Sequence, residues 1–332
     1  MKIGIVGAGA VGGVFAIWLG RQPEHTISVF ARSATLTALQ RDGLVLESAD
    51  GSRRAVSVRA SADAAALGPQ DLVIVAVKGP ALAAVAPAVA RLAAGGAPVV
   101  VAMNGVPWWF FDHLEGPCRG LRLASVDPGD AIRAQIPTGQ VIGCVVHMSS
   151  VGLAPGVVRH AHGQRLILGE PAGGASGRLE GVAQVLRHAG FEAETSARIQ
   201  HDIWFKLWGN MTVNPVSALT GATGDQILDD PLVRAYLSAM MLEAREIGGR
   251  FGVPIEQTPE ERHVVTRKLG AFRTSMLQDA EAGRPLELDA LLGVVCEIGR
   301  HVGVPTPHLD SLLGLTRLMA RTRGLAPGMT PG

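Results

Sequence analysis

Tyrosine occurs once in 332 residues, and Phe, Trp and Tyr together make up only 4%. A chain so poor in rings offers little stacking surface for single-stranded nucleic acid or sugars. Cysteine is scarcer still. Cys118, Cys144 and Cys296 stand far apart, none belongs to a C-x-x-C, and their number is odd. That excludes a disulfide framework and a zinc ribbon and fits a reducing compartment. An excess of one charge is missing too. Lys plus Arg number 30 and Asp plus Glu 29, for a net charge of +1. This excludes a strongly basic nucleic-acid binder and a dominant acidic tail. Long unbroken apolar runs are also absent. Residues 1–19 are interrupted by Gly4, Gly7, Gly9, Gly12 and Gly13, and residues 80–103 by Arg91, Gly95, Gly96 and Pro98. Neither reads as a signal peptide or a membrane span. The expectation is a cytoplasmic protein with no membrane or nucleic-acid partner.

What is present is core material and glycine. Hydrophobic residues reach 47% against 18% charged, and there are 42 glycines. The length suggests two domains at about 150 residues each. In the first third, strand and helix signals alternate. Lys2–Val6 is an apolar run ending in glycine, residues 11–19 begin a helix, and Thr26–Phe30 is a second strand. Residues 33–41 read as a short helix with Ser33 as N-cap. Residues 44–47 and 55–59 flank Asp50-Gly51, a hairpin signal. Residues 71–77 and 98–102 are apolar on both faces, as buried parallel strands are, and an Ala-rich helix over 81–94 separates them. This alternation predicts a parallel sheet with helices on both faces. Short strands follow over 141–148, 156–160 and 165–168, then a helix over 176–189 closed by Gly190. From about residue 197 helical segments take over, at 199–214, 231–251, 259–270 and 286–302. The predicted fold is therefore α/β: a Rossmann-type dinucleotide-binding domain over residues 1–197 and an all-α domain over 198–332. Residues 324–332, rich in Pro and Gly, are expected to fray.

Gly7-Ala8-Gly9-Ala10-Val11-Gly12 is a G-x-G-x-x-G between the first strand and the first helix. In that context the first glycine permits the tight turn and the second lets backbone approach a pyrophosphate. The third lets helix and strand pack closely. The anion then meets free N–H groups at the positive end of a helix dipole. The second strand ends Phe30-Ala31-Arg32-Ser33, with no carboxylate for the ribose hydroxyls of NAD. Arg32 instead suits the 2′-phosphate of NADPH, with Arg53 and Arg54 as the next candidates.

Lys206, Asn210 and Asn214 are spaced i, i+4, i+8 and share one helix face, while Trp204, Leu207, Trp208 and Met211 fall mostly elsewhere. Taken alone, such a stripe reads first as the solvated side of an amphipathic helix. Other reactive residues carry less. His160 and His162 share a strand face but lack a third ligand for a metal. Cys144 reads as core, and His201-Asp202 as the cap of the Lys206 helix.

Several motifs in order resemble the ketopantoate reductase (2-dehydropantoate 2-reductase) family along nearly the whole chain. They are the glycine loop, Val77-Lys78, Met103-Asn104-Gly105, Lys206-Leu207 with Asn210 and Asn214-Pro215, Ser275-Met276-Leu277-Gln278-Asp279, and Glu287-Leu288-Asp289. The resemblance implies NADPH-dependent reduction of 2-dehydropantoate to pantoate, in pantothenate biosynthesis and the coenzyme A pathway. It implies Lys206 as general acid and Glu287 as the carboxylate orienting that ammonium or the cofactor ribose. It places Lys78, Asn104 and Ser149 at the cofactor, with Asn104 also reaching the substrate, and gives Asn210, Asn214 and Ser275 to substrate binding. A homodimer is expected by the same analogy. The chain departs from the family pattern in three places. Leu291-Leu292-Gly293 stands where an Asn is frequent, residues 221–225 show no clear polar match, and Pro107-Trp108-Trp109-Phe110-Phe111 is unusually bulky. These keep open a paralogous reductase of another 2-oxo acid or a bulkier carbonyl. A non-catalytic NADP-binding sensor is the remaining alternative, against which Lys206 and Glu287 argue.

Overall fold

Branched aliphatic residues on both faces put β1 (Lys2–Val6) in the middle of a sheet, with Ile3, Ile5 and Val6 wholly buried. A computed structural model of the chain describes residues 1–48 and 50–326; residues 327–332 of the expected frayed tail lie outside them. Contacts divide the chain into two units: Met1–Asn104 with Gly129–Asp202, and Gly105–Pro128 with Ile203–Gly332.

In the first unit β1 is followed by α1 (Ala10–Gly20), β2 (Thr26–Phe30), α2 (Ser33–Asp42), β3 (Leu44–Glu47), β4 (Arg53–Val56) and β5 (Arg59–Ser61). Then come α3 (Ala64–Leu67), β6 (Leu72–Val75), α4 (Gly79–Leu92), β7 (Val99–Val101), β8 (Val141–Ala154), β9 (Val157–Gly169), α5 (Gly177–His188) and β10 (Glu192–Ser196). The six strands β5-β2-β1-β6-β7-β8 lie side by side and all parallel. This is the doubly wound order, in which chain direction along the sheet reverses beside β1. Beyond β8 the sheet becomes mixed: β9 runs antiparallel to β8, parallel to β3 and β10, and β3 pairs antiparallel with β4.

Two local expectations are corrected here. The short strands read over 141–168 are two long ones, because bulges around His147–Ser150 and Gly152–Ala154 absorb the glycines without ending the ladder. Ser33 does not cap α2. Arg32 holds the N-cap position, and Ser33 opens the helix with a positive φ of 49°, a region few non-glycine residues enter.

Helix α1 is buried from Gly12 to Leu19. A Cβ at Gly13 would fall 2.6 Å from Val158 Cγ1, so the absent side chain is what lets β9 lie against the helix. Phe15 and Trp18 meet Phe191 at ring separations of 4.8 and 4.6 Å.

The second unit is built from α6 (Ile199–Thr220), α7 (Gly224–Asp229), α8 (Pro231–Phe251), α9 (Pro259–Arg267), α10 (Ser275–Glu281), α11 (Val294–Val302) and α12 (Pro307–Thr322). Helix α6 continues past the expected stop at Asn214, even though Pro215 removes one backbone donor. Burial of Val213, Val216, Ser217 and Ala218 around the proline outweighs the local preference to stop. The helix expected over 286–302 begins instead with a π turn, Asp289–Gly293, and α9 ends three residues before Gly270. The bulky 107–111 segment belongs to this unit's core. Trp108, Trp109, Phe110 and Phe111 are buried, and Phe110, Phe111 and Trp204 all meet Phe251 at ring separations of 4.9–5.9 Å. Leu292 is buried as well. These side chains fill a core, so they no longer argue for a bulkier substrate.

Candidate functional site

The glycine loop divides its work as its spacing demands. Gly7 has φ +98°, and a Cβ there would fall 2.7 Å from Val77 Cγ1 and 2.9 Å from the Ala76 backbone. A Cβ at Gly12 would fall 1.9 Å from the Gly7 carbonyl oxygen, so only glycine closes this turn. Gly9, by contrast, has nothing within 4 Å of where its Cβ would stand. It is the N-cap of α1, with extended backbone and no side-chain cap, and no acid lies in the first turn. Ala8, Ala10 and Val11 complete a small, uncharged lip. The concavity faces N–H groups that an anion would satisfy, which fits a dinucleotide's pyrophosphate.

Lys78 is the N-cap of α4, just beyond the end of β6, the strand beside β1 where the order reverses. Ligands collect at such switch points. Arg32 leaves the end of β2 with its guanidinium carbon 5.2 Å from the Phe30 ring centroid and Nη2 3.3 Å from the Ala84 carbonyl of α4. Arg32 is exposed to solvent. Arg53 is already engaged: Nη2 donates to Glu47 at 2.8 Å, and Arg159 bonds the same carboxylate. These bonds, with Arg159 the larger contribution, hold the Glu47 carboxyl below its ordinary value. Ser149 sits half-buried at the β8 bulge opposite His162, and Asn104 is half-buried at the end of the unit.

In the second unit Lys206, Asn210 and Asn214 lie along one stripe of α6 as their spacing requires. Lys206 and Asn210 are half-buried and Asn214 is buried. Among the described residues neither asparagine makes a side-chain hydrogen bond. By contrast Trp208, on the other side of the helix, donates to the Met241 carbonyl at 2.7 Å. The amide atoms of Asn210 and Asn214 are not among the buried unpartnered ones, so they remain open to a ligand or to water. Ser275 is exposed at the first turn of α10, whose cap is Thr274. Glu287 is half-buried between two core leucines, the second of which, Leu288, precedes the π turn. That turn leaves the Ala290 carbonyl to accept from the Val106 N–H at 3.2 Å. Gly105, at φ +84°, passes so close that a Cβ would fall 2.2 Å from the same oxygen. Gly105 is thereby fixed to the π turn within the second unit, and π turns recur at functional positions. One neighbour of the α6 stripe had no sequence signal: Arg262 of α9, whose guanidinium carbon lies 4.9 Å from the Phe205 ring centroid.

Residues 3–173 match the family described as ketopantoate reductase PanE/ApbA, and residues 198–320 match its C-terminal domain. The chain belongs to the ketopantoate reductase family. It is an oxidoreductase, and members of the family depend on a dinucleotide. A 2-dehydropantoate 2-reductase of Mesorhizobium japonicum is 44% identical, over 98% of this chain and 99% of that one. A crystal structure from Ralstonia solanacearum MolK2, with a provisional ketopantoate reductase assignment, is 60% identical and superposes with a TM-score of 0.93 over 98% of this chain and 99% of that one. D-mandelate dehydrogenase in ternary complex with NADH and anilino(oxo)acetate shares the fold at 19% identity, with a TM-score of 0.82 over 97% and 99% of the two chains. Among the described residues no helix is long and apolar enough to cross a membrane.

Proposed function

We propose that this chain reduces 2-dehydropantoate to pantoate with NADPH, as a cytoplasmic homodimer serving pantothenate and coenzyme A synthesis. The observation that carries the reading is the α6 stripe: Lys206, Asn210 and Asn214 in phase on one helix face, the two asparagine side chains without hydrogen-bond partners among the described residues. When bound, the reduced nicotinamide supplies the hydride that adds to the 2-oxo carbon. The loop Gly7–Gly12 and Lys78 hold the dinucleotide, and Arg32 selects its 2′-phosphate. The Lys206 ammonium polarises the carbonyl oxygen and donates the proton that the developing alkoxide needs. Glu287 orients that ammonium. Asn210, Asn214 and Ser275 bind the remaining substrate oxygens, while Asn104 and Ser149 steady the cofactor end. NADPH consumption with 2-dehydropantoate and a panel of other 2-oxo acids tests this, together with rescue of a pantothenate auxotroph. Turnover confined to 2-dehydropantoate, with rescue, is expected. Turnover of other acids without rescue would reassign the substrate, and cofactor binding without turnover would overturn the enzymatic reading.

A further inference from the structure

Arg262 stands on α9 with its planar head laid against α6. The guanidinium stacks over Phe205, and a Cβ at Gly209 would fall 2.9 Å from its Nη2 and 3.1 Å from its Nε. Gly209 is therefore the gap that admits it. Among the described residues Arg262 has no ion pair and no side-chain hydrogen bond, and its Nε is buried. Burial holds its pKa below the ordinary guanidinium value. The nearest acid in sequence, Glu261, is turned away and accepts from the Thr258 N–H at 2.7 Å to close the α9 cap. A partly desolvated guanidinium without a counter-charge costs stability unless an anion joins it. Phe205 and Gly209 form the stripe of α6 beside Lys206 and Asn210, so such an anion would lie next to the residues assigned to the carbonyl. Amides and hydroxyls replace a carboxylate's hydration without neutralising its charge. Arginine does both, with two parallel N–H groups matched to the two oxygens.

We propose that Arg262 is the substrate-binding residue that takes the carboxylate of the 2-oxo acid, admitted to α6 by the missing side chain of Gly209. The proposal rests on the reading of Lys206 as proton donor to the carbonyl. It makes the second unit selective for acids over neutral carbonyl compounds.

The test compares the wild-type protein with R262M, R262K and G209A on 2-dehydropantoate and on its neutral lactone, both with NADPH. R262M is expected to raise KM for the acid about ten-fold or more, leaving lactone turnover and NADPH affinity unchanged, so that the preference for the acid collapses. R262K, which keeps the charge but not the fork, should lie between, and G209A should shift KM the same way by pushing on the guanidinium. An unchanged acid-to-lactone ratio in R262M, or an equal loss on both substrates, would overturn the proposal. Should R262M fail to fold, R262K decides: an unchanged KM for the acid overturns it. If the wild-type chain reduces no 2-oxo acid at all, the functional reading fails separately. Calorimetric titration with pantoate then settles Arg262: binding by wild type and not by R262K supports its role, and equal or absent binding refutes it.

Discussion

The two units present their functional atoms in opposite ways. In the first, the proposed ligand-facing groups are backbone N–H donors at the start of α1, and the shape around them is set by what glycines omit. Several charged side chains there are already satisfied: Glu47 by Arg53 and Arg159, Glu170 by Arg178 and Ser176. In the second unit the proposed functional groups are side chains on α6, and the asparagines among them lack side-chain hydrogen bonds within the described residues. A site made of backbone is nearly invariant to what it binds as long as an anion arrives. A site made of side chains is specific, because an amide left without its ligand partner costs free energy.

The largest effect is expected where chemistry depends on one side chain. Lys206→Ala should retain NADPH binding and lose about 10²–10⁴-fold in turnover. Cofactor titration beside steady-state rates separates the two, and wild-type kcat in the variant would leave the side-chain half of the comparison without its central member. In the backbone-built unit, Gly12→Ala should act on binding and stability together. Its Cβ would meet the Gly7 carbonyl oxygen at 1.9 Å, a clash with backbone that no rotamer relieves. About 3 kcal/mol of stability should go, seen as a lower unfolding midpoint, along with most dinucleotide affinity. A variant that binds NADPH normally would show the loop to be more pliable than a close-packed turn allows.

Arg32→Ala should weaken NADPH and spare NADH, reducing the preference by about ten-fold; competitive titration of both cofactors reads this directly. Equal loss for the two would move phosphate recognition elsewhere. The smallest effect concerns the first unit's framework. Burial alone would raise the Glu170 carboxyl, but Arg178, donating from Nε at 2.8 Å, and Ser176 outweigh it and hold the group below its ordinary value. A lowered folded pKa means stabilisation that is complete above the unfolded value, about 4.3, and is lost as pH falls through the folded one. Glu170→Gln should therefore cost about 1 kcal/mol near neutrality, since the amide oxygen still accepts from Arg178, and should flatten the acid limb of a stability–pH curve. An unchanged acid limb would assign the loss to other carboxylates.

Much of this is legible in the sequence. Local chemistry decided the glycine loop, the buried strands β1, β6 and β7, and helix α8, whose bounds agree with the 231–251 reading because Asp230 and Pro231 open it and Gly252 closes it. The stripe Lys206-Asn210-Asn214 was visible as a period, but period alone could not separate a site from a solvated face. Glycine punctuation misled over 141–168, where strand pairing carried the ladder across bulges. Proline misled at 215, where burial kept α6 helical. Trp108 and Trp109 read as ornaments of a substrate pocket because sequence adjacency to Asn104 was the only distance available.

The sequence by itself determined that the chain closes a tight glycine turn between strand and helix, alternates strands and helices, and carries a lysine and two amides in phase. Each of these depends on residues within a few positions of one another, where backbone geometry fixes what can meet. Tertiary structure alone decided which glycine faces open space, that the aromatic run is core around Phe251, and that Arg262 lies over Gly209 without a counter-charge. Those outcomes join residues tens of positions or more apart. Packing and desolvation set them, and neither acts until the chain has folded.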